Sequence, residues 1–460
     1  MAQRPGNKIY WGIGILLLAS SLVALGWYLG HRDDDFKPYQ VLKGYEGSRH
    51  SYIVKSSEVS IKMANRAIEA LKHKKIQEAI DDCNVAIDIF PIDAKPYILL
   101  TKLYLMTRQE QKMFDTLTLA GRSYPDFDNI VGVIDDQDLD RIPLEQTQDN
   151  IYLANFPEDK RTAISFMFDD GEADVYKSLP IFEKYNYRAT IPVVAAFVSD
   201  KSNDPFWGSW AQWKDAADRG FEIANHSMFH RDSKNLHGAD FDVSIDQAKE
   251  EIEKNIGHKV TAYVFPHDSY TDEAVSRALK KHRTVRTSEF LRSFYSRTVD
   301  IVIGGPHVSV ETAERLIDIG IKRNLWLIAK GHGVTYKRSM RSFKSITPDF
   351  LESYLAYIHA KSDAVWVDTF SNIFDYLALR KQTSIETKNF SKDSIDFILH
   401  VADSKTVLMA PLTVIIKPEA GAVLKSAKTK KGKALKAWGC ETDKMCVDVD
   451  AYNEEVHVQF

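Results

Sequence analysis

The stretch Ala163-Ile164-Ser165-Phe166-Met167-Phe168-Asp169-Asp170-Gly171 carries a mostly apolar run straight into two carboxylates and a glycine. A short apolar run closed by a turn signal reads as a buried strand, and parallel-sheet folds place reactive side chains at the C-terminal ends of such strands. Downstream, Val175 to Tyr185 has a helical pattern and Ala189-Thr190-Ile191-Pro192-Val193-Val194 reads as a second strand. Strand and helix then alternate through Phe221-Glu222-Ile223-Ala224, Val260 to Phe265, Ile301-Val302-Ile303, Leu325 to Ala329 and Val365-Trp366-Val367. That alternation predicts an α/β domain, built on a mainly parallel sheet or barrel, over residues 150–382. Beyond Gln382 only short strands follow, at Ile395 to Val401, Leu412 to Lys417, Met445 to Val449 and Glu455 to Phe460, so a small all-β domain is expected over 386–460.

Upstream, Ala79, Ala86 and Pro91 recur in spacing as Met113, Ala120 and Pro125, each pair 34 residues apart. Small residues at fixed offsets let paired helices approach, and a proline ends each unit, so two helical hairpins are expected within 58–127. Tyr97, Leu100 and Tyr104 precede Ala120 and Pro125, and this second unit resembles the tetratricopeptide pattern; the first unit lacks the early aromatic. Two units are few for an independent solenoid, so they are expected to pack against a neighbouring domain or a protein partner. Cys83 reads there as a small buried hydrophobe. Residues 31–57 are polar without periodicity and read as a linker. Ile9 to Leu29 carries no charge, and its 21 residues span about 30 Å as a helix, enough for the hydrocarbon core of a bilayer. Tyr10, Trp11, Trp27 and Tyr28 mark its ends, while Arg4 and Lys8 precede it and Asp33, Asp34 and Asp35 follow. The expectation is a membrane anchor or signal-anchor over 1–30, with the rest of the chain outside the cytoplasm, facing the periplasm or the cell surface. Cleavage near Ala24 and Gly26 is the competing account, and it exports the same residues.

Composition narrows the rest. The 460 residues have 44% hydrophobic and 27% charged side chains, ordinary for a folded multidomain chain, and a net charge of -4 offers no electrostatic footprint for nucleic acid. Three cysteines make no disulfide scaffold, yet Cys440 and Cys446 stand close enough to pair in an oxidising compartment. The Lys-rich run from Lys425 to Lys433 reads as a solvated loop rather than a polyanion site.

Chemistry concentrates in two places. Asp169 and Asp170 end one expected strand, and His226-Ser227-Met228-Phe229-His230 follows another. Histidines four apart on a helical turn can reach one ion, and two imidazoles plus one carboxylate form a ligand set for zinc or another divalent transition metal. These motifs resemble those of the polysaccharide deacetylases of carbohydrate esterase family 4: Phe168-Asp169-Asp170-Gly171, then His226 to His230, then Val264-Phe265-Pro266, then Ile328-Ala329-Lys330-Gly331-His332. The resemblance covers about 155 to 380 and implies a deformed (β/α) barrel. It implies Asp170, His226 and His230 as ligands of a divalent metal, zinc first and cobalt, nickel or iron next. It further implies Asp169 as general base, His332 as general acid, and an oxyanion donor just after Pro266, the backbone N–H of His267. Trp207, Trp210 and Trp213 could stack on sugar rings, with at least one of them in the core. The third motif's usual Arg is absent from Thr261 to Phe265, so either another Arg takes its place or the base is tuned more weakly. For the fourth motif only Asp300, Trp326 and Asp368 are candidates.

The expected activity is metal-dependent removal of acetyl groups, N-acetyl foremost, from a cell-surface or secreted polysaccharide. The rivals are an acetyl ester hydrolase on a glycan, a non-catalytic glycan-binding scaffold organised by the repeats, and, ranked last, an iron oxygenase.

Overall fold

The computed structural model describes residues 49–460 except 124, 145–148, 306–307, 337–341, 403–410, 442 and 451–453. The apolar stretch 9–29 lies outside the described residues, among which no helix is long and apolar enough to cross a membrane. The chain divides into two compact units, one comprising residues up to 107 together with 119–134, the other 108–118 with 135–460.

In the first unit, helices Arg49–Lys72, Ile76–Ile89 and Ala94–Met106 follow one another. The first begins well inside the stretch expected to be linker, which corrects the 31–57 boundary. Its buried stripe is Ser56, Ser60, Ala64, Ala67 and Ala70, small residues at helical spacing. Serines at inward positions conceal an amphipathic face from a hydropathy pattern, yet they let a neighbouring helix approach closely. Ala79, Cys83 and Ala86 are fully buried on helix Ile76–Ile89. Burial, reinforced by the adjacent Asp82 carboxylate, pushes the Cys83 thiol up to about 12, so it packs as an inert hydrophobe. Tyr97 is buried and donates its hydroxyl to the Pro91 carbonyl at 3.0 Å.

The second unit holds sixteen strands among its described residues. Eight are parallel and form one sheet: β2 (Thr162–Phe168), β3 (Thr190–Val193), β4 (Glu222–Asn225), β5 (Ala262–Val264), β6 (Thr284–Arg286), β7 (Thr298–Val302), β8 (Trp326–Gly331) and β9 (Val365–Val367). Their order is β6-β5-β4-β3-β2-β8-β7, with β9 also paired to β2. Every residue of β2 is buried, as a strand with both faces covered by structure requires. The expected α/β alternation is thus present, with β6 as an addition: a three-residue strand is too short to reveal a period.

The sheet is a curled half-barrel. Among the described residues β7 pairs only with β8, and its edge is met by the start of helix Glu110–Arg122. Thr118 donates its hydroxyl to the Asp300 carbonyl on β7 at 3.0 Å, Glu110 pairs with Arg297 and Arg323, and Asp115 pairs with Arg292. A capped edge no longer offers itself for pairing with another chain.

The remaining strands are antiparallel and form two four-stranded sheets, β1-β12-β15-β14 and β10-β11-β16-β13. Here β1 is Ile151–Leu153, β10 Thr383–Phe390, β11 Ser394–Val401, β12 Leu412–Ile416, β13 Ser426–Thr429, β14 Ala437–Glu441, β15 Lys444–Val449 and β16 Glu455–Gln459. The all-β region therefore recruits Ile151–Leu153 from before the barrel and starts at Thr383, extending the 386–460 boundary on both counts. Helix Phe370–Gln382 runs into β10 without a loop. Its buried Phe370, Ile373, Phe374 and Leu377 join Met167 and Trp326 of the barrel and Phe397, Val414 and Val458 of the sandwich in one core. Cys440 and Cys446 form the expected disulfide between the adjacent strands β14 and β15. Part of the Lys-rich run is strand β13, and Lys430, Lys431 and Lys433 each pair with a carboxylate, which argues against a polyanion site.

Candidate active site

The C-terminal ends of β2, β4, β5, β6 and β8 converge. Asp169 and Asp170 turn out of β2, His226 follows β4 directly, Pro266 to Asp268 leave β5, Arg286 ends β6 and His332 follows β8. Asp170, Ser227, His230, His267 and Asp268 all have positive φ, between +51° and +75°. Non-glycine residues rarely hold that conformation, at about 1–3 kcal/mol each, and such strain gathers where side chains must be aimed.

His226 Nδ1 lies 2.8 Å from the Val264 carbonyl, which can only accept, so Nδ1 carries the proton and Nε2 presents a lone pair. That Nε2 and the Nε2 of His230 each stand 3.2 Å from Asp170 Oδ1. Oδ1 is nonetheless buried without a hydrogen bond. The three ligand atoms lie within 4.8 Å of one another. Acceptors converging on one point without protons between them suit a divalent cation, and the donor set of two imidazoles and one carboxylate fits zinc or a related transition metal. Burial raises the Asp170 carboxyl, but His230 and His226 more than offset it and hold it well below the usual range. Burial lowers the His230 imidazole, yet the Asp170 charge lifts it above its ordinary value.

Asp169 is gripped bidentately by Arg286, with Nη1 to Oδ1 at 2.8 Å and Nη2 to Oδ2 at 2.6 Å. Burial pushes its carboxyl up, but the guanidinium brings it net below the ordinary value, so it is ionised and able to accept a proton. Arg286 reaches Asp169 from the neighbouring strand rather than from Thr261 to Phe265: β5 and β6 pair with Val264 beside Arg286. Sequence reasoning missed it because nothing in Thr284-Val285-Arg286 marks a strand end. The same guanidinium reaches Asp268 Oδ1 at 3.2 Å. Asp268 Oδ2 and Asp300 Oδ2 accept from Lys330 Nζ at 2.9 and 3.3 Å. Of the fourth-motif candidates, Asp300 joins this network, Trp326 donates to Ser165 in the core, and Asp368 accepts from Asn372 and Thr369.

His332 faces the same cleft, its Nε2 3.8 Å from Asp170 Oδ2. Burial holds its imidazole below the ordinary value, and its Nδ1 is buried without a hydrogen-bond partner.

Of the aromatic residues expected to meet sugar, Trp207 is half-buried and stacks on Phe197 at 4.8 Å, while Phe197 lies 6.0 Å from the His230 ring. The His267 ring is 4.5 Å from that of His230. Pro266 is buried in the turn. Trp213 is a correction: it is 0% exposed and belongs to the core. Helix Trp210–Asp218 turns it inward beneath Gly208, where a Cβ would lie 2.1 Å from the indole. Gly208→Ala is therefore expected to lower stability by about 1–3 kcal/mol through overpacking, read as a fall in Tm, and an unchanged Tm would show the indole free to move.

A half-barrel of parallel strands thus carries Asp-Asp, His-x-x-x-His and a late His at its strand ends, and part of it matches a known family model. Residues 157–285 match the family model described as Polysaccharide deacetylase, about a quarter of the chain and short of His332. Structural likeness extends to a family 4 acetyl xylan esterase from Clostridium thermocellum, solved with a cobalt ion, at 20% identity and a TM-score of 0.32, covering 46% of this chain and 90% of that one. A CE4 family pseudoenzyme from Bacillus anthracis has 15% identity and a TM-score of 0.34 over 47% of this chain and 66% of its own. A deacetylase from Streptococcus pyogenes, in complex with acetate, has 21% identity and a TM-score of 0.25 over 26% of this chain and 52% of its own. No curated protein sequence matches the chain.

Proposed function

We propose that the chain is a metal-dependent hydrolase that removes acetyl groups, N-acetyl foremost, from a cell-surface or secreted polysaccharide. The observation that carries this reading is the convergence of three lone-pair donors, on Asp170, His226 and His230, beside an Asp169 carboxylate that Arg286 keeps ionised. Asp170, His226 and His230 would hold a divalent cation, zinc foremost, which when bound would supply Lewis-acid activation of a water and of the acetyl carbonyl. Asp169 takes the proton of the attacking water. His332, across the cleft, gives a proton to the departing nitrogen. The His267 N–H, presented by a turn of positive φ, hydrogen-bonds the developing oxyanion. Trp207 offers an aromatic face to a neighbouring sugar. An ester carbonyl is open to the same attack, which makes an O-acetylated glycan the alternative substrate.

We place the catalytic domain outside the cytoplasm, anchored through residues 9–29, because the Cys440–Cys446 disulfide suits an oxidising compartment. The helical repeats would recruit a protein partner.

The test is acetate release by the full chain from N-acetylglucosamine polymers, peptidoglycan and acetylxylan. Chelator treatment should abolish release and added Zn2+ or Co2+ should restore it. Metal binding without acetate from any of the three polymers would favour the scaffold reading, which the unpartnered Nδ1 of His332 makes a specific rival. Release that persists after complete metal removal would overturn the proposed chemistry.

A further inference from the structure

Five charged side chains form one chain behind the candidate site: Asp169, Arg286, Asp268, Lys330 and Asp300, linked at 2.6–3.3 Å. Asp169, Arg286, Lys330 and Asp300 are each less than 9% exposed. Ion pairs this far from water cost more to desolvate than they return as stability, so their presence calls for another account.

Asp268 stands at the junction. One oxygen takes Arg286, the arginine that grips Asp169, and the other takes Lys330 on β8, two residues before His332. Its backbone belongs to the turn Pro266–Asp268, where His267 and Asp268 sit at φ +61° and +51°. A single carboxylate thus touches the holder of the base, the strand that carries the acid, and the turn that presents the oxyanion donor.

We propose that Asp268 is a positioning residue, clamped by Arg286 and Lys330, that sets the Arg286 fork on Asp169 and the 266–268 turn in register with each other. Asp268 contacts no reacting atom. It acts by fixing two elements from different strand ends to one point, and catalytic groups displaced by about 1 Å lose on the order of 100-fold in rate. Lys330 has a matching part: it neutralises the second oxygen of Asp268 and ties it to Asp300 on the adjacent strand β7. This inference rests on the deacetylase reading for its kinetic consequence, but not for its structural one.

The experiment is Asp268→Asn, made alone and in an Asp169→Asn background, with Asp268→Glu as the conservative control. Asparagine keeps the volume and one acceptor oxygen, but gives up the charge that holds two cations. On the best polymer, kcat is expected to fall ~100-fold with KM within about twofold, and the Co2+ spectrum should be unchanged because Asp170, His226 and His230 are untouched. When Asp268→Asn is added to Asp169→Asn, the residual activity should fall by much less than ~100-fold, since the part of the loss that comes from a misplaced base is already gone and only the part that comes from the turn remains. A crystal structure of Asp268→Asn should show Arg286 withdrawn from one Asp169 oxygen and residues 266–268 moved.

Equal fold-losses in both backgrounds, or a crystal structure with the fork and turn in place, would overturn the proposal. So would recovery of no activity in Asp268→Glu. If the wild-type chain releases no acetate at all, the deacetylase reading fails, while the crystal structure still decides whether Asp268 sets the fork and the turn. If Asp268→Asn does not fold, Lys330→Met takes its place with the same crystallographic readout, and an unmoved turn there overturns the proposal equally.

Discussion

Replacing Asp169 with Asn is expected to lower acetate release about 1000-fold or more while leaving metal binding intact. The amide matches the carboxylate in volume and its oxygen can still accept from Arg286, but it cannot take a proton from water at neutral pH. General base catalysis contributes on the order of 100- to 10,000-fold, and the group removed here is buried against Arg286, which also occupies Asp268. Asp170 faces the two imidazoles instead, and His332 lies on its far side. The measurement is kcat by enzymatic acetate detection, paired with Co2+ titration followed in the visible spectrum. A variant within tenfold of wild type would mean that Asp169 is not the base. Loss of the Co2+ spectrum would mean that it is a ligand.

The parts of this site that could be read in the sequence are those whose chemistry is local. Asp169-Asp170 and His226 to His230 are recognisable because each motif lies within one strand end, so spacing along the chain reports spacing in space. His332 follows for the same reason, at the end of a long apolar strand. Arg286 was invisible because its meaning is purely tertiary: it matters only because β6 pairs with β5 and so brings it to Asp169. Asp268 and Lys330 stood inside quoted motifs, yet neither acquires a role until two strand ends are placed side by side. Trp213 shows the opposite failure. Three tryptophans at three-residue intervals look like a sugar platform, but helix Trp210–Asp218 turns one of them wholly inward. The fold followed a similar rule. Long runs such as Thr162–Phe168 and Trp326–Gly331 declare themselves, whereas Ile151–Leu153 and Thr284–Arg286 are too short to carry a period. The start of helix Arg49–Lys72 resembles linker in sequence because serine and alanine line its buried stripe.

The same buried pair that keeps the base ready makes Arg286 the most exposed weakness of the fold. Arg286→Met fills the space of the aliphatic stem but leaves Asp169 buried with no cation against it. Removing one partner of such a pair costs about 3–5 kcal/mol, because the remaining charge has neither water nor counterion. The deficit should depend on pH in a definite sense. In the wild-type chain burial raises the Asp169 carboxyl and Arg286 brings it net below its ordinary value, so the stability it contributes is present above the unfolded-state pKa and is lost as pH falls through the folded one. In Arg286→Met the main influence opposing burial is gone and only the weaker pull of His226 and His332 remains, so the carboxyl rises and protonation relieves the cost. The loss measured by urea unfolding should therefore be largest near pH 7 and shrink towards pH 4. Activity should respond in the opposite direction, the acid limb of the rate profile moving to higher pH because the base must now be deprotonated against burial. Adding Asp169→Asn to Arg286→Met should restore most of the stability and none of the activity, a non-additive pair that separates an electrostatic cost from lost packing. A deficit that is independent of pH and is not relieved in the double variant would assign the cost to packing, and would leave the ionised state of Asp169 to be explained by something other than Arg286.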